Sequence, residues 1–176
     1  MKDMLKLFDG SQPLDELCKM VRRCGATVRL DGMVGGALSP YAAAAVERCG
    51  GVHVFVAVDR DAAAYLMNDF YALLDEERVK FFPSSYKRSA AYGVEDAQGV
   101  VQRTNAVNAL MGAQNGPYTI LCTYPEALAE SIVSPEALNE DTINISVGDK
   151  VRISELTERL EGMGFERVDF VYSPGQ

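Results

Sequence analysis

Apolar and polar positions along this chain change period several times, and each change marks an element. Leu14, Leu17, Cys18 and Val21 recur at helical spacing, which predicts a helix over 13–24. Ser11 is placed to cap it, Pro13 falls in its first turn and Gly25 stops it. Residues 26–30 then form a short β-rich run, followed by the turn Asp31-Gly32-Met33-Val34-Gly35-Gly36. Ser39-Pro40 opens an alanine-rich helix that runs to Arg48, and Gly50-Gly51 ends it. Residues 52–58 are almost continuously apolar and rich in β-branched side chains, the pattern of a strand buried on both faces. Asp59 caps a predicted helix over 61–74. A strand follows over 78–82 and is ended by Pro83.

Turn formers and mixed polarity make 84–99 a loop, and 100–111 reads as a helix. A strand over 118–123 lies between Gly116-Pro117 and Pro125, with a short helix over 126–131 after it. Alternating strands and helices imply a parallel sheet covered by helices on both faces, an α/β fold. The rhythm changes near 132–135. Residues 142–147 alternate as in a half-exposed strand, Gly148-Asp149 gives a turn, Ser154 caps a helix to Met163, and 167–172 reads as a last strand. The expected organisation is a first α/β domain over 1–133 and the start of a small α+β domain over 134–176. The ending Ser173-Pro174-Gly175-Gln176 is turn-like, so the chain reads as a fragment of a longer protein.

Composition narrows the function classes. Among 176 residues, 48% are apolar and 24% charged, ordinary for a globular protein. The net charge of −8 repels nucleic acid unless basic residues cluster, and the adjacent basic pairs are Arg22-Arg23 and Lys87-Arg88. The four cysteines form no CxxC pair, so reduced buried thiols in a cytosolic protein are expected rather than disulfides or zinc. No apolar run is long enough to span a membrane, and the N-terminus has no signal-peptide core.

A strand, a glycine turn and a helix form the setting of a phosphate-binding loop, which needs G-x-x-x-x-G-K-[ST]. Counted from Gly32, the last three positions hold Ala37, Leu38 and Ser39. The hydroxyl is kept, but an aliphatic side chain replaces the lysine that would pair with the β and γ phosphates. Gly32, Gly35 and Gly36 do not fit G-x-G-x-x-G either, so they read as turn geometry. No cofactor is expected. The alternatives are a cryptic nucleotide enzyme using the Gly32 to Ser39 turn, or a DNA-binding module built on Lys87 and Arg88.

His53 is the only histidine and lies inside an apolar strand, which leaves histidine-based catalysis or metal binding little support. Asp75-Glu76-Glu77 reads as a solvated helix end. In the last strand Arg167, Asp169 and Val171 share one face, where an arginine can anchor a partner carboxylate.

Four segments together resemble the N-terminal region of bacterial transcription-repair coupling factor (Mfd). They are Phe81-Phe82-Pro83-Ser84-Ser85-Tyr86-Lys87-Arg88, Arg103-Thr104-Asn105-Ala106-Val107-Asn108, Thr123-Tyr124-Pro125-Glu126-Ala127-Leu128 and Gly164-Phe165-Glu166-Arg167-Val168-Asp169. The Phe-Pro-Ser-Ser-Tyr form is similar to its Bacteroidetes branch. The resemblance runs in order over nearly the whole chain. It implies a first domain shaped like the motor domain of the excision-repair helicase UvrB but without its ATP site, and a second domain of the type that binds UvrA. Arg167 matches an arginine of that UvrA-binding surface. The family continues into a strand with a further arginine, which this chain lacks. The resemblance also implies a full-length parent that is an ATP-dependent DNA translocase and contacts RNA polymerase and DNA through other domains.

Overall fold

The computed structural model describes residues 2–86, 96–113, 116–140, 142–165 and 168–170. The chain divides into two compact units, Met1–Ala129 and Glu130–Gln176.

The first unit is built on three parallel strands, β1 (Gly51–Val56), β2 (Val79–Phe81) and β3 (Tyr118–Thr123), in the order β1-β3-β2. Parallel neighbours need crossovers, and helices supply them. Before the sheet come α1 (Gln12–Val21) and α2 (Leu38–Cys49). Helix α3 (Arg60–Leu73) joins β1 to β2, α4 (Ala97–Met111) joins β2 to β3, and the short α5 (Pro125–Leu128) follows β3. The register aligns Phe55 with Cys122 and Cys122 with Phe81. These residues therefore share a face, and Phe70 of α3 covers it, its ring centroid 4.7 Å from that of Phe55. Helix α4 takes the opposite face, where Arg103 lies over Phe82. The α/β architecture expected from alternation of elements is the one observed.

Local chemistry explains several boundaries. The Asp59 carboxylate accepts the Ala62 N–H at 2.8 Å, capping α3 as expected. Gly50 ends α2 at φ 62° and ψ −175°, a conformation that suits glycine alone. Strand β3 is central and every one of its residues is buried.

The expectation that residues 52–58 are buried on both faces is not met. Val52, Val54 and Val56 are 50, 51 and 52% exposed. β1 is a sheet edge, and α4 lies over β2 and β3 instead of over it, so alternate valines face outward. Residues 26–30 are not a strand either; they have no ladder partners, and Val28 and Leu30 are exposed. A β-rich run becomes a strand only when a neighbour takes up its hydrogen bonds. Two expected caps also differ, since Ser11 makes no side-chain cap bond and Ser154 lies inside its helix.

The second unit holds α6 (Pro135–Glu140) and α7 (Ile153–Gly162). Helix α6 was not expected, although Ser134 followed by Pro135 is a start signal and Ser134 Oγ accepts the Ala137 N–H at 3.2 Å. The expected strand over 142–147 does not form. Residues 168–170 of the expected last strand are irregular as well, and its remaining residues lie outside the described ones. Thr142 Oγ1 turns back to donate to Leu138 O at 2.5 Å, and Ser146 N–H donates to Asp149 Oδ2 at 2.7 Å across the Gly148 turn. Local side-chain bonds of this kind compete with ladder formation.

Candidate functional site

The glycine turn is the first place to look for chemistry. Gly32 and Gly35 have φ of 82° and 58°, so their role is backbone geometry. A side chain added at Gly32, Gly35 or Gly36 would meet only open space, so these glycines are not there to admit a close neighbour. Because 26–30 is not a strand, the turn lacks the lead-in of a phosphate loop. A single 3₁₀ turn, Gly35–Ala37, passes directly into α2. Leu38, at the lysine position, is 45% exposed, while Ser39 is only 7% exposed.

Ser39 has a partner that the sequence did not reveal. Its hydroxyl donates to Asp69 Oδ2 of α3 at 2.5 Å. The hydroxyl that would hold a cation in a phosphate loop is therefore bound to a carboxylate. Asp69 also places negative charge beside the first turn of α2, where a phosphate would otherwise be drawn by the helix dipole. A cavity of about 210 Å³ lies here, lined by Met4, Gly36, Ser39, Pro40, Asp69, Ala72 and Leu73.

A second polar centre forms at the carboxyl ends of β2 and β3, the end at which open α/β sheets hold their ligands. Arg103 of α4 is buried, and its Nη1 donates to Pro83 O at 2.8 Å and to Ala127 O at 3.0 Å. The guanidinium carbon sits 4.0 Å from the Phe82 ring centroid. Thr123 Oγ1 donates to Phe82 O at 2.8 Å, and Ser84 N–H donates to Tyr124 Oη at 2.8 Å. Gly99 lies so close that an added Cβ would stand 2.6 Å from Ser84 O. Three segments that are far apart in sequence, those around Phe82, Arg103 and Thr123, are thus tied together through one arginine.

No family model matches the chain. UvrABC system protein B of Methanosarcina acetivorans is 26% identical over 182 residues, covering 95% of this chain and 27% of that protein. The same protein of Thermotoga petrophila is 23% identical over 176 residues, covering 95% and 26%. Transcription-repair-coupling factor of Bacillus subtilis is 24% identical over 147 residues, covering 84% of this chain and 12% of that protein. The chain is a UvrB-like and coupling-factor-like sequence. It matches only about a quarter, or about an eighth, of the length of those relatives. Three of the four segments that carry the likeness to coupling factor, those holding Phe82-Pro83, Arg103 and Ala127, meet at Arg103.

The remaining candidates fall as follows. His53 is half-buried, and its Nε2 donates to Gly50 O at 2.9 Å, so the ring holds the turn into β1. Among the described residues no cluster of histidine, cysteine or acidic side chains could hold a metal ion, and no helix is long and apolar enough to cross a membrane. Burial pushes the Cys122 thiol up to about 12. Burial, with the neighbouring Cys18 thiol, pushes Cys49 up to about 11. Such thiols are poor nucleophiles. Burial, then the Glu76 carboxylate, also raises the Tyr71 hydroxyl. Arg167, Lys87 and Arg88 lie outside the described residues.

Proposed function

We propose that this chain is a non-catalytic docking module of a DNA-repair protein, and that it supplies part of a surface for recruiting UvrA during transcription-coupled excision repair. The observation that carries the non-catalytic half is the exposed Leu38 at the lysine position of a turn into which no strand leads. No lysine stands at position 38 to neutralise phosphate. The recruiting half draws its support from the names of the relatives and from the resemblance of the segment Gly164-Phe165-Glu166-Arg167-Val168-Asp169 to the UvrA-binding region of coupling factor. In a longer parent, ATP-driven movement on DNA and contact with RNA polymerase would belong to other domains.

On this reading Arg167 makes a charge-assisted bond to an acidic group of UvrA, and its loss costs about 2–5 kcal/mol. Titration calorimetry of UvrA against the chain and against Arg167→Ala tests this. A loss of about 30-fold or more is expected, and equal affinity removes Arg167 from the interface. Titration with ATP and Mg²⁺ tests the other half. No heat and no hydrolysis are expected, while micromolar binding or turnover would favour a nucleotide enzyme.

A further inference from the structure

Among the described residues, the edge of β2 away from β3 has no neighbouring strand, and it lies along an open groove. The groove has a volume of about 610 Å³ and is lined by Tyr71 of α3, Gln102 and Asn105 of α4, the strand residues Val79, Lys80 and Phe81, and the acidic pair Glu76 and Glu77. Helices on opposite sheet faces form its walls, and the strand edge is between them.

The direction of the strand's hydrogen bonds follows from one contact. Phe82 N–H donates to Cys122 O at 2.9 Å, toward β3. Successive peptide groups of an extended strand point to opposite edges, so Phe81 N–H and C=O, and Val79 C=O, point away from β3 toward the groove. Val79 N–H is already taken by Glu76 O in the turn Glu76–Arg78. Among the described residues, nothing bonds to Phe81 N–H or C=O on that side. Strand edges with unsatisfied donors and acceptors are templates for a further strand.

We propose that this groove binds an extended peptide of a partner protein, which adds as a fourth strand to β2 and places a basic side chain against Glu76 and Glu77. Main-chain bonds to Phe81 and Val79 would supply the pairing, and the walls would select alternate side chains. The charge at the groove favours this partner. Glu76 and Glu77 stand at the N-terminal end of the strand, and the whole chain carries a net charge of −8, so a basic segment is attracted and a second copy is repelled. Lys80 sets the opposite preference further along, which gives the peptide a direction.

The test is fluorescence polarisation of the whole chain with a labelled short peptide of alternating valine and threonine that begins with paired lysines. Saturable binding is expected. It should fall about tenfold or more with Glu76→Lys and Glu77→Lys together, both surface changes. It should also vanish when alternate peptide amides are N-methylated, a change that leaves the protein untouched. Failure to saturate at millimolar peptide overturns the proposal, and so does equal binding of the N-methylated peptide. Self-association of the chain that the peptide does not compete away overturns it as well, because the edge would then belong to a second copy. UvrA takes no part in this assay, so its result is separate from the fate of the recruiting role.

Discussion

Ser39 of α2 and Asp69 of α3 are joined by a hydrogen bond of 2.5 Å across thirty residues of sequence. The bond ties together two helices that pack on one another, and it fixes the start of α2. Ser39→Ala is expected to lower stability by about 1 kcal/mol, since Asp69 is exposed enough to regain water. Urea denaturation reads this as a shift in midpoint at constant slope.

Leu38→Lys is expected to leave the affinity for ATP and Mg²⁺ unmeasurable. A lysine restores one charge. It does not create a strand leading into the turn. Equilibrium dialysis with and without the substitution checks this. Binding gained by the single change would mean that the turn is a phosphate cradle lacking only its cation.

Arg103→Met keeps an apolar stem over Phe82 but removes the donors to Pro83 O and Ala127 O. Those carbonyls would be left in a buried site, and the expected loss is about 2–4 kcal/mol. Arg103→Lys should recover part of it, because one ammonium cannot reproduce the planar fork. Thermal melts of both variants give the order wild type, lysine, methionine.

The alternation of strands and helices from 52 to 128 is legible because it rests on local signals: apolar runs, an Asp59 cap and glycine stops. What the sequence could not show depends on partners distant along the chain. Whether 26–30 becomes a strand depends on a neighbour to receive its hydrogen bonds. Which face of β1 is covered depends on where α4 lands. Ser39 was visible as a retained hydroxyl, but Asp69 lay inside an unremarkable helix. Arg103 was visible as part of a recognised segment, but its role needs Pro83 and Ala127 brought to it from both sides. Helix α6 is only six residues long, too short for a helical period to show, and Ser134-Pro135 is its one local signal.

Gly50→Ala should loosen the start of the sheet. At φ 62° an alanine is strained, and its Cβ would come within 2.7 Å of Pro117 O, the same carbonyl that accepts Gly51 N–H at 3.0 Å. A cost of about 2–4 kcal/mol is expected. Hydrogen exchange should show it first at the β1–β3 ladder near Gly51 and Tyr118, the end that this carbonyl anchors.

Cys122 gives the chain an alkaline limit. Its thiol sits in the central strand, fully buried, and burial raises its pKa from 9.0 to about 12. The unfolded chain therefore releases this proton at lower pH than the folded one. The stability linked to it is complete below pH 9 and is lost as pH rises toward 12, at up to about 1.4 kcal/mol per pH unit. Tyr41 and Tyr71, also raised by burial, add to the loss at higher pH. Cys122→Ala is expected to be less stable than wild type at pH 7 because a small cavity replaces the sulfur. It should lose stability less steeply above pH 9, so the two urea midpoints converge as pH rises. Parallel curves across that range would show that the Cys122 thiolate is tolerated where the thiol sits.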